Sequence, residues 1–357
     1  MKHFECQNCG QWLTFENSHC ERCGHVLGYD PDYEDLIALV PERGDFWQAL
    51  KDPARVFRFC ANSAYQACNW LVPAEGPDAL CQACRLNRII PRLEESDHIV
   101  FWRRLEVAKH RMIYGLKRLN LPVLSKQDDP DKGVAFEFLS AADMPQDGAA
   151  SVVTGHANGV ITIDLSEADH VERERQRRDM SEPYRTLLGH FRHEIGHYYW
   201  ERLVADQGRH ESFRVLFGDE RQDYGEALAR HYEQGPPIDW PERYVSSYAT
   251  MHAWEDFAET WAHYMHIVDT LETAEAYDLQ VRRGLRRQQA EGTTTISQKG
   301  DSESFDAMIE AWLPMTYAVN SLNRSMGQPD LYPFVLSQFA IDKIEFVHEL
   351  IQNSDRS

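Results

Sequence analysis

The chain has 357 residues, 43% of them hydrophobic and 26% charged, which is enough to bury a core in one large domain or two of ordinary size. Its formal net charge of −20 repels nucleic-acid phosphates and argues against a general nucleic-acid binder. No apolar run reaches the roughly 18 residues of a membrane helix, and the first residues, MKHFECQNCG, lack the apolar core of a signal peptide. The expectation is a cytoplasmic protein with no membrane association.

All eight cysteines precede residue 85. That break in composition predicts a cysteine-rich region over residues 1–90 and a second domain over 91–357. Cys6, Cys9, Cys20 and Cys23 form two C-x2-C pairs, each followed by a glycine (Gly10, Gly24). Cys60, Cys68, Cys81 and Cys84 form a second group with one long spacing. Between them, YDPDYEDLIALVPERGDFWQALKD (29–52) is acidic and reads as a short connecting segment.

From 92 to 120, Ile99, Trp102, Leu105, Ala108, Met112, Leu116 and Leu119 recur at intervals of three and four, which predicts a helix. Its basic stretch, RRLEVAKHRMIYGLKR (103–118), reads as a solvated face. LPVLSKQDDPDKG follows as a loop. VAFEFL (134–139), ASVVTGH (150–156) and GVITIDL (159–165) read as strands, the last two joined as a hairpin through Asn158-Gly159.

Beyond the hairpin the pattern is almost wholly helical. Ser181 with Pro183 predicts a helix start, and the helix runs to about 205. Asp219 with Gln222 resembles a capping box for a helix to about 233. EQGPPIDWPER reads as a loop, and a helix spans about 251–290. The polar segment 291–304 reads as mobile, and helices over 303–325 and 332–352 end the chain. The predicted class is α+β: a zinc-ribbon region with two four-cysteine clusters, followed by a mostly helical domain with a small sheet.

Structural zinc takes four tetrahedral ligands, often all thiolates, and a C-x2-C turn lets two sulfurs converge on one ion. The two cysteine groups therefore predict two structural zinc ions, with exchange of ligands between the groups left open. Neither group is rich in basic residues, so contact with a protein partner or simple scaffolding is the expected role. Disulfides are disfavoured by compartment and spacing.

A third pattern lies at His193-Glu194-Ile195-Gly196-His197, an H-E-x-x-H sequence. Residues four apart share one face of a helix, so His193 and His197 can bind one ion while Glu194 reaches a water on it. The metzincin form of this site needs glycine and histidine where Trp200 and Leu203 stand, and is excluded. The other form takes a glutamate from a later helix. SSYATMHAWEDFAETWAHYMH (246–266) offers Glu255, with Glu259 one turn on, among apolar neighbours. Buried carboxylates there are costly unless paired or metal-bound. Glu255 is assigned as third ligand and Glu259 as an acceptor for a ligand imidazole, with the reverse assignment open. Tyr248 is the candidate oxyanion donor, with His252 the alternative. His190 reads as a supporting histidine, and His263 and His266 as ordinary residues of the Glu255 helix. The strand GVITIDL would be the edge that pairs with an extended substrate.

These residues resemble the bacterial family of zinc-binding metallopeptidases with an N-terminal zinc-ribbon region. The likeness extends over nearly the whole chain, through CQNCGQWLTFENSHCERCG, CNWLVPAEGPDALCQACRLNRIIP, VVTGHANGVITIDLSEAD, PYRTLLGHFRHEIGHYYW and WEDFAETWAHYMHIVDTLETA. The Glu255–Glu259 segment is similar to the third-ligand helix of gluzincins. The resemblance implies a thermolysin-like fold with a sheet above the H-E-x-x-H helix, and a peptidase reaction. The leading expectation is a zinc metallopeptidase acting through a Glu-activated, zinc-bound water, with one catalytic and two structural zinc ions. The alternatives are a zinc-stabilised protein-interaction module with a latent hydrolase domain, and a hydrolase of non-peptide amides.

Overall fold

The structure is a computed structural model that describes residues 1–95, 97–140, 154–179, 186–281 and 304–354. The chain forms two compact units, one of residues 2–181 and 185–194, the other of Ile195–Ser357 with Met1 and 182–184.

In the first unit, β1 (Phe4–Glu5) pairs antiparallel with β2 (Trp12–Leu13). The amide of Gly10 reaches back to the carbonyl of Cys6 at 2.8 Å, and that of Gly24 to Cys20 at 2.8 Å. Both glycines have positive φ, 69° and 74°, which closes each knuckle without a Cβ penalty.

Strands β3 (Val26–Asp30), β4 (Asp35–Pro41), β5 (Trp47–Ala49), β6 (Val56–Phe59) and β7 (Leu71–Pro73) follow as one antiparallel sheet in sequence order. The segment 29–52 is therefore not a connector but two hairpin turns and their strands. Its apolar run supplies Ile37, Leu39 and Ala49 to a core shared with Phe57 and Leu71, while Glu34 and Gly44 take positive φ in loops between strands. The acids had masked strands only three to seven residues long.

Strand β8 (Asn87–Ile89), helix α1 (His98–Arg118) and strand β9 (Ala135–Leu139) follow, with β8 and β9 parallel. The basic stretch on α1 is not a solvated face. Lys109 and His110 are buried, Arg104 donates to the Ala168 carbonyl at 2.8 Å, and Arg111 pairs with Glu16 at 2.6 Å. Strand β10 (Gly155–Ala157) turns through Asn158 (φ 49°) and Gly159 (φ 76°) into β11 (Val160–Asp164), the two-residue turn that suits the twist of a hairpin.

The sheet order is β10-β11-β9-β8, so β11 is interior, paired with β10 on one side and β9 on the other. GVITIDL is thus not the edge strand, because its own hairpin covers that side. The outer strand there is β10. Helix α2 (His170–Asp179) follows, and then α3 (Leu187–Trp200). Phe191 of α3 packs on Phe136 and Phe138 of β9, with ring centroids 5.9 and 6.1 Å apart. The start expected at Ser181-Pro183 lies outside the described residues.

The second unit is helical among its described residues. Helix α3 continues into one wide π-type turn (Glu201–Ala205), then α4 (His210–Phe217), α5 (Tyr224–Gln234), α6 (Ala253–Ala276), α7 (Phe305–Ser325) and α8 (Gln338–Gln352). The cap of α5 is Asp223, whose carboxylate accepts from the Glu226 amide at 2.8 Å. Asp219 is engaged by the Arg221 side chain instead. Helix α6 ends at Ala276, before the expected 290. Of the polar segment 291–304, only Ser304 is described, as the cap of α7. Helix α8 begins six residues late, after Pro333 and behind the Ser337 cap.

The core of this unit gathers Phe213, Phe217, Phe257 and Phe346. Beneath it, Lys343 and Asp256 form a buried ion pair at 2.6 Å. No helix among the described residues is long and apolar enough to cross a membrane.

Candidate functional site

Among the described residues four groups of donor atoms converge, each set lying mutually within 4.8 Å: Cys6, Cys9, Cys20 and Cys23; Cys60, Cys68, Cys81 and Cys84; His193, His197 and Glu255; and Cys84, Glu106 and His110. All eight cysteines are free thiols. In the first group Cys6 and Cys23 are 3.6 Å apart, as are Cys9 and Cys20. A tetrahedron of zinc–sulfur bonds near 2.3 Å has edges of about 3.8 Å, so the spacing fits zinc. In the second group Cys68 and Cys81 are 3.7 Å apart. The long Cys60–Cys68 spacing holds one 3-10 turn, Ala61–Tyr65, closed by Gln66 at φ 56°, which returns the chain to the cluster. The amides of Cys81, Cys84 and Trp70 point at sulfurs of Cys60, Cys81 and Cys68 at 3.3–3.4 Å. Within this set hydrogen bonds from neighbouring thiols pull Cys60 and Cys84 below the usual thiol range, while burial pushes Cys68 and Cys81 up.

The third group rests on two helices. His193 and His197 lie one turn apart on α3, and Glu255 in the first turn of α6. All three are buried. His197 Nε2 is 3.5 Å from Glu255 Oε2, and the His197 ring lies against Trp254 at 3.8 Å between centroids. Two imidazoles and a carboxylate are a zinc-binding set that leaves a fourth position for other ligands.

Gly196, inside the H-E-x-x-H stretch, permits the approach of α6. A Cβ there would meet Ala258 Cα and Trp261 Cβ and Cγ at 3.1 Å.

The neighbouring side chains have definite partners. Glu194 is buried, and its Oε1 accepts from His190 Nε2 at 3.1 Å. His190 Nδ1 donates to Glu167, which sits in the turn after β11 and also accepts from Thr154 Oγ1 at 2.6 Å. Burial pulls the His190 imidazole down, but Glu167 and Glu194 outweigh it and raise it to about 9. Both ring nitrogens then donate, one to each carboxylate.

His252 caps α6. Its Nδ1 accepts from the Trp254 amide and its Nε2 donates to the Gln222 carbonyl, both at 3.1 Å. These bonds occupy both nitrogens, which removes it as the alternative oxyanion donor. Tyr248 sits in a short turn (Tyr248–Thr250) beside Tyr224 and Glu255; burial, then the Glu255 charge, raises its phenol far above the ordinary value. Glu259 Oε2 accepts from Ser246 Oγ at 2.6 Å. His263 is buried against Phe334 and bonded to the Tyr332 hydroxyl at 2.6 Å, with His266 beside it.

Tyr224 is a residue the sequence did not single out. Its hydroxyl donates to Glu255 Oε1 at 2.9 Å. It opens α5, 31 positions before Glu255, and no spacing rule links the two.

Comparison with known proteins gives two family matches. A family model described as "Putative zinc-binding metallo-peptidase" matches residues 98–350, and a zinc-ribbon domain model matches residues 3–95. Similar chains include an uncharacterized protein of Mycobacterium bovis and one of Mycobacterium tuberculosis (strain ATCC 25618 / H37Rv). Each is 45% identical over 353 residues, covering 98% of this chain and 95% of its own. No solved structure matches the chain to a significant level.

Proposed function

The chain belongs to the zinc-binding metallo-peptidase family with an N-terminal zinc ribbon, and from that premise we propose a zinc-dependent peptidase of the gluzincin type. The observation that carries this reading is the convergence of His193, His197 and Glu255 within 4.8 Å in a buried site, with Glu194 next in sequence to the first of them. Those three residues would hold the catalytic metal. A zinc ion there supplies Lewis acidity, polarising a carbonyl and making water more acidic.

Glu194 is the general base: it takes a proton from the attacking water and passes it to the departing amine. His190 holds one oxygen of that carboxylate and so fixes its rotation. Tyr248 is the assigned oxyanion donor. A phenol is protonated at neutral pH, as a donor requires. Tyr224 orients Glu255 through its hydroxyl. The two cysteine groups would hold two structural zinc ions.

Among the described residues no strand pairs with the outer edge of β10. That edge is where we place an extended polypeptide, which would add as a further strand.

The test is cleavage profiling of a peptide library by the wild type and by Glu194→Gln. The variant should lose turnover and keep its metal. A wild type that carries a third zinc ion and cleaves nothing would overturn the peptidase reading.

A further inference from the structure

Helix α1 buries the side chains of Glu106, Lys109 and His110, which the proposed reaction does not use. Buried charges of this kind are retained only where partners offset their desolvation. Lys109 and His110 both approach the Glu106 carboxylate, Lys109 Nζ lying 2.9 Å and His110 Nδ1 3.5 Å from Oε2. Lys109 also donates to Asn87 Oδ1, while Asn87 Nδ2 and Trp102 Nε1 donate to Glu106 Oε1 at 2.6 and 3.2 Å.

The third, His110, faces the second cysteine group. Its Nε2 lies 3.4 Å from Cys68 Sγ and 3.6 Å from Cys84 Sγ. Its Nδ1 lies 2.6 Å from the Glu106 carbonyl oxygen. A carbonyl only accepts, so Nδ1 carries a hydrogen. Thiolates committed to a metal also only accept, so a second hydrogen on Nε2 satisfies both sides of the ring.

Cys84, Glu106 and His110 also lie within 4.8 Å of one another, as a metal site would require. The Lys109 ammonium already occupies the Glu106 carboxylate, so a cation there would meet a cation. The four cysteines, moreover, already make a complete tetrahedral set. Four thiolates around one divalent ion are anionic overall, and a buried anion needs donors and positive charge around it. Helix α1 presents both.

We propose that helix α1 completes the second cysteine cluster: His110 donates Nε2–H to the Cys68 and Cys84 thiolates while its Nδ1–H is held by the Glu106 carbonyl, so that metal in the cluster keeps α1 ordered. The cysteines fall in the zinc-ribbon match, residues 3–95, and His110 in the peptidase match, residues 98–350. The ribbon's metal is thereby coupled to the first helix of the peptidase region, and stripping or oxidising the ribbon loosens that helix.

The experiment uses the full zinc-loaded chain, with zinc release followed by the dye 4-(2-pyridylazo)resorcinol in wild type, His110→Ala and His110→Gln. One release phase should quicken about 10–100-fold in His110→Ala. The phase from Cys6, Cys9, Cys20 and Cys23 should not change, which also reports that the variant is folded. Gln, which keeps a donor, should restore most of the wild-type rate. With cobalt(II) in place of zinc, the cysteine-site spectrum should be that of four sulfur ligands in wild type and in His110→Ala. Backbone amides of α1 should exchange faster after metal removal. An unchanged release rate in His110→Ala, a nitrogen ligand in the wild-type cobalt spectrum, or unaltered α1 exchange after stripping would each overturn the proposal. None of these measurements requires peptidase activity.

Discussion

Replacing Gly196 by alanine tests whether contact between α3 and α6 sets the metal site. In an exposed helix the change would add about 1 kcal/mol of stability, because glycine is the poorer helix former. Here the new Cβ would stand 3.1 Å from Ala258 Cα and from Trp261 Cβ and Cγ. Ordinary carbon–carbon contact is about 3.5–4.0 Å, so the helices must part by several tenths of an ångström. Trp261 cannot yield easily: it is fully buried and stacked on Tyr199 at 4.8 Å and 13°. Overpacking of this kind costs about 1–3 kcal/mol, which cancels or exceeds the propensity gain.

The larger effect falls on the site. His197 and Glu255 face each other at 3.5 Å from the two helices that separate, and metal–ligand distances tolerate only about 0.2 Å. Zinc affinity at this site should fall about tenfold or more, while the melting temperature drops by no more than a few degrees. Competition with a chelator of known affinity measures the first, with the cysteine sites as internal reference, and thermal unfolding measures the second. A Gly196→Ala variant that is stabilised by about 1 kcal/mol and binds zinc as the wild type does would refute the reasoning.

Other substitutions separate the roles around the metal. Tyr224→Phe removes the bond to Glu255 and should weaken zinc binding about 10–100-fold. Tyr248→Phe should instead lower kcat about 10²–10³-fold with zinc affinity kept; a loss of zinc in both variants would place both tyrosines in ligand support. His190→Phe should lower kcat with little change in KM or zinc content, and His190→Gln should recover part of it through its amide donor. Equal losses in the two variants would make His190 a packing residue only.

Burial holds the His263 imidazole at about 4, against 6.5 in the unfolded chain, with Glu259 opposing the shift. The folded state prefers the neutral ring, so this contribution is complete above the unfolded value and is lost as pH falls toward the folded one. The loss amounts to about 3 kcal/mol. His263→Gln should flatten urea-melt stability across that window, and an unchanged acid slope would exclude His263 as its source.

Residues sharing one local element were legible in the sequence. The three- and four-residue period found α1, which begins at His98 rather than 92 and ends at Arg118 rather than 120, and alternation found β9 and β11. The spacing of His193 and His197 put both on one helix face, and two acids in an apolar stretch pointed to the helix carrying Glu255. The ribbon's five-stranded sheet escaped because its strands are too short for periodicity to stand out against acidic turns. The charged face of α1 escaped for a different reason. A basic stretch is solvated unless something buried needs its charge, and the Cys60–Cys84 group that faces it lies elsewhere in the chain.

His190 and His252 show why pattern alone could not finish the site. Each lies three residues from an assigned ligand, and composition gives no ground for separating them. His252 also stands at the N-cap position of α6, where its backbone is extended and its Nδ1 can take an otherwise unmet amide. Once Nε2 is bonded to Gln222, both nitrogens serve the fold. His190 lies in the interior of α3, whose backbone bonds are already made, so both its nitrogens are available to side chains. Glu194 is on the same helix, one turn away, but Glu167 comes from the turn after β11, 23 residues earlier. The role of His190 is therefore set by the packing of that turn against α3, which neither helix period nor motif spacing encodes.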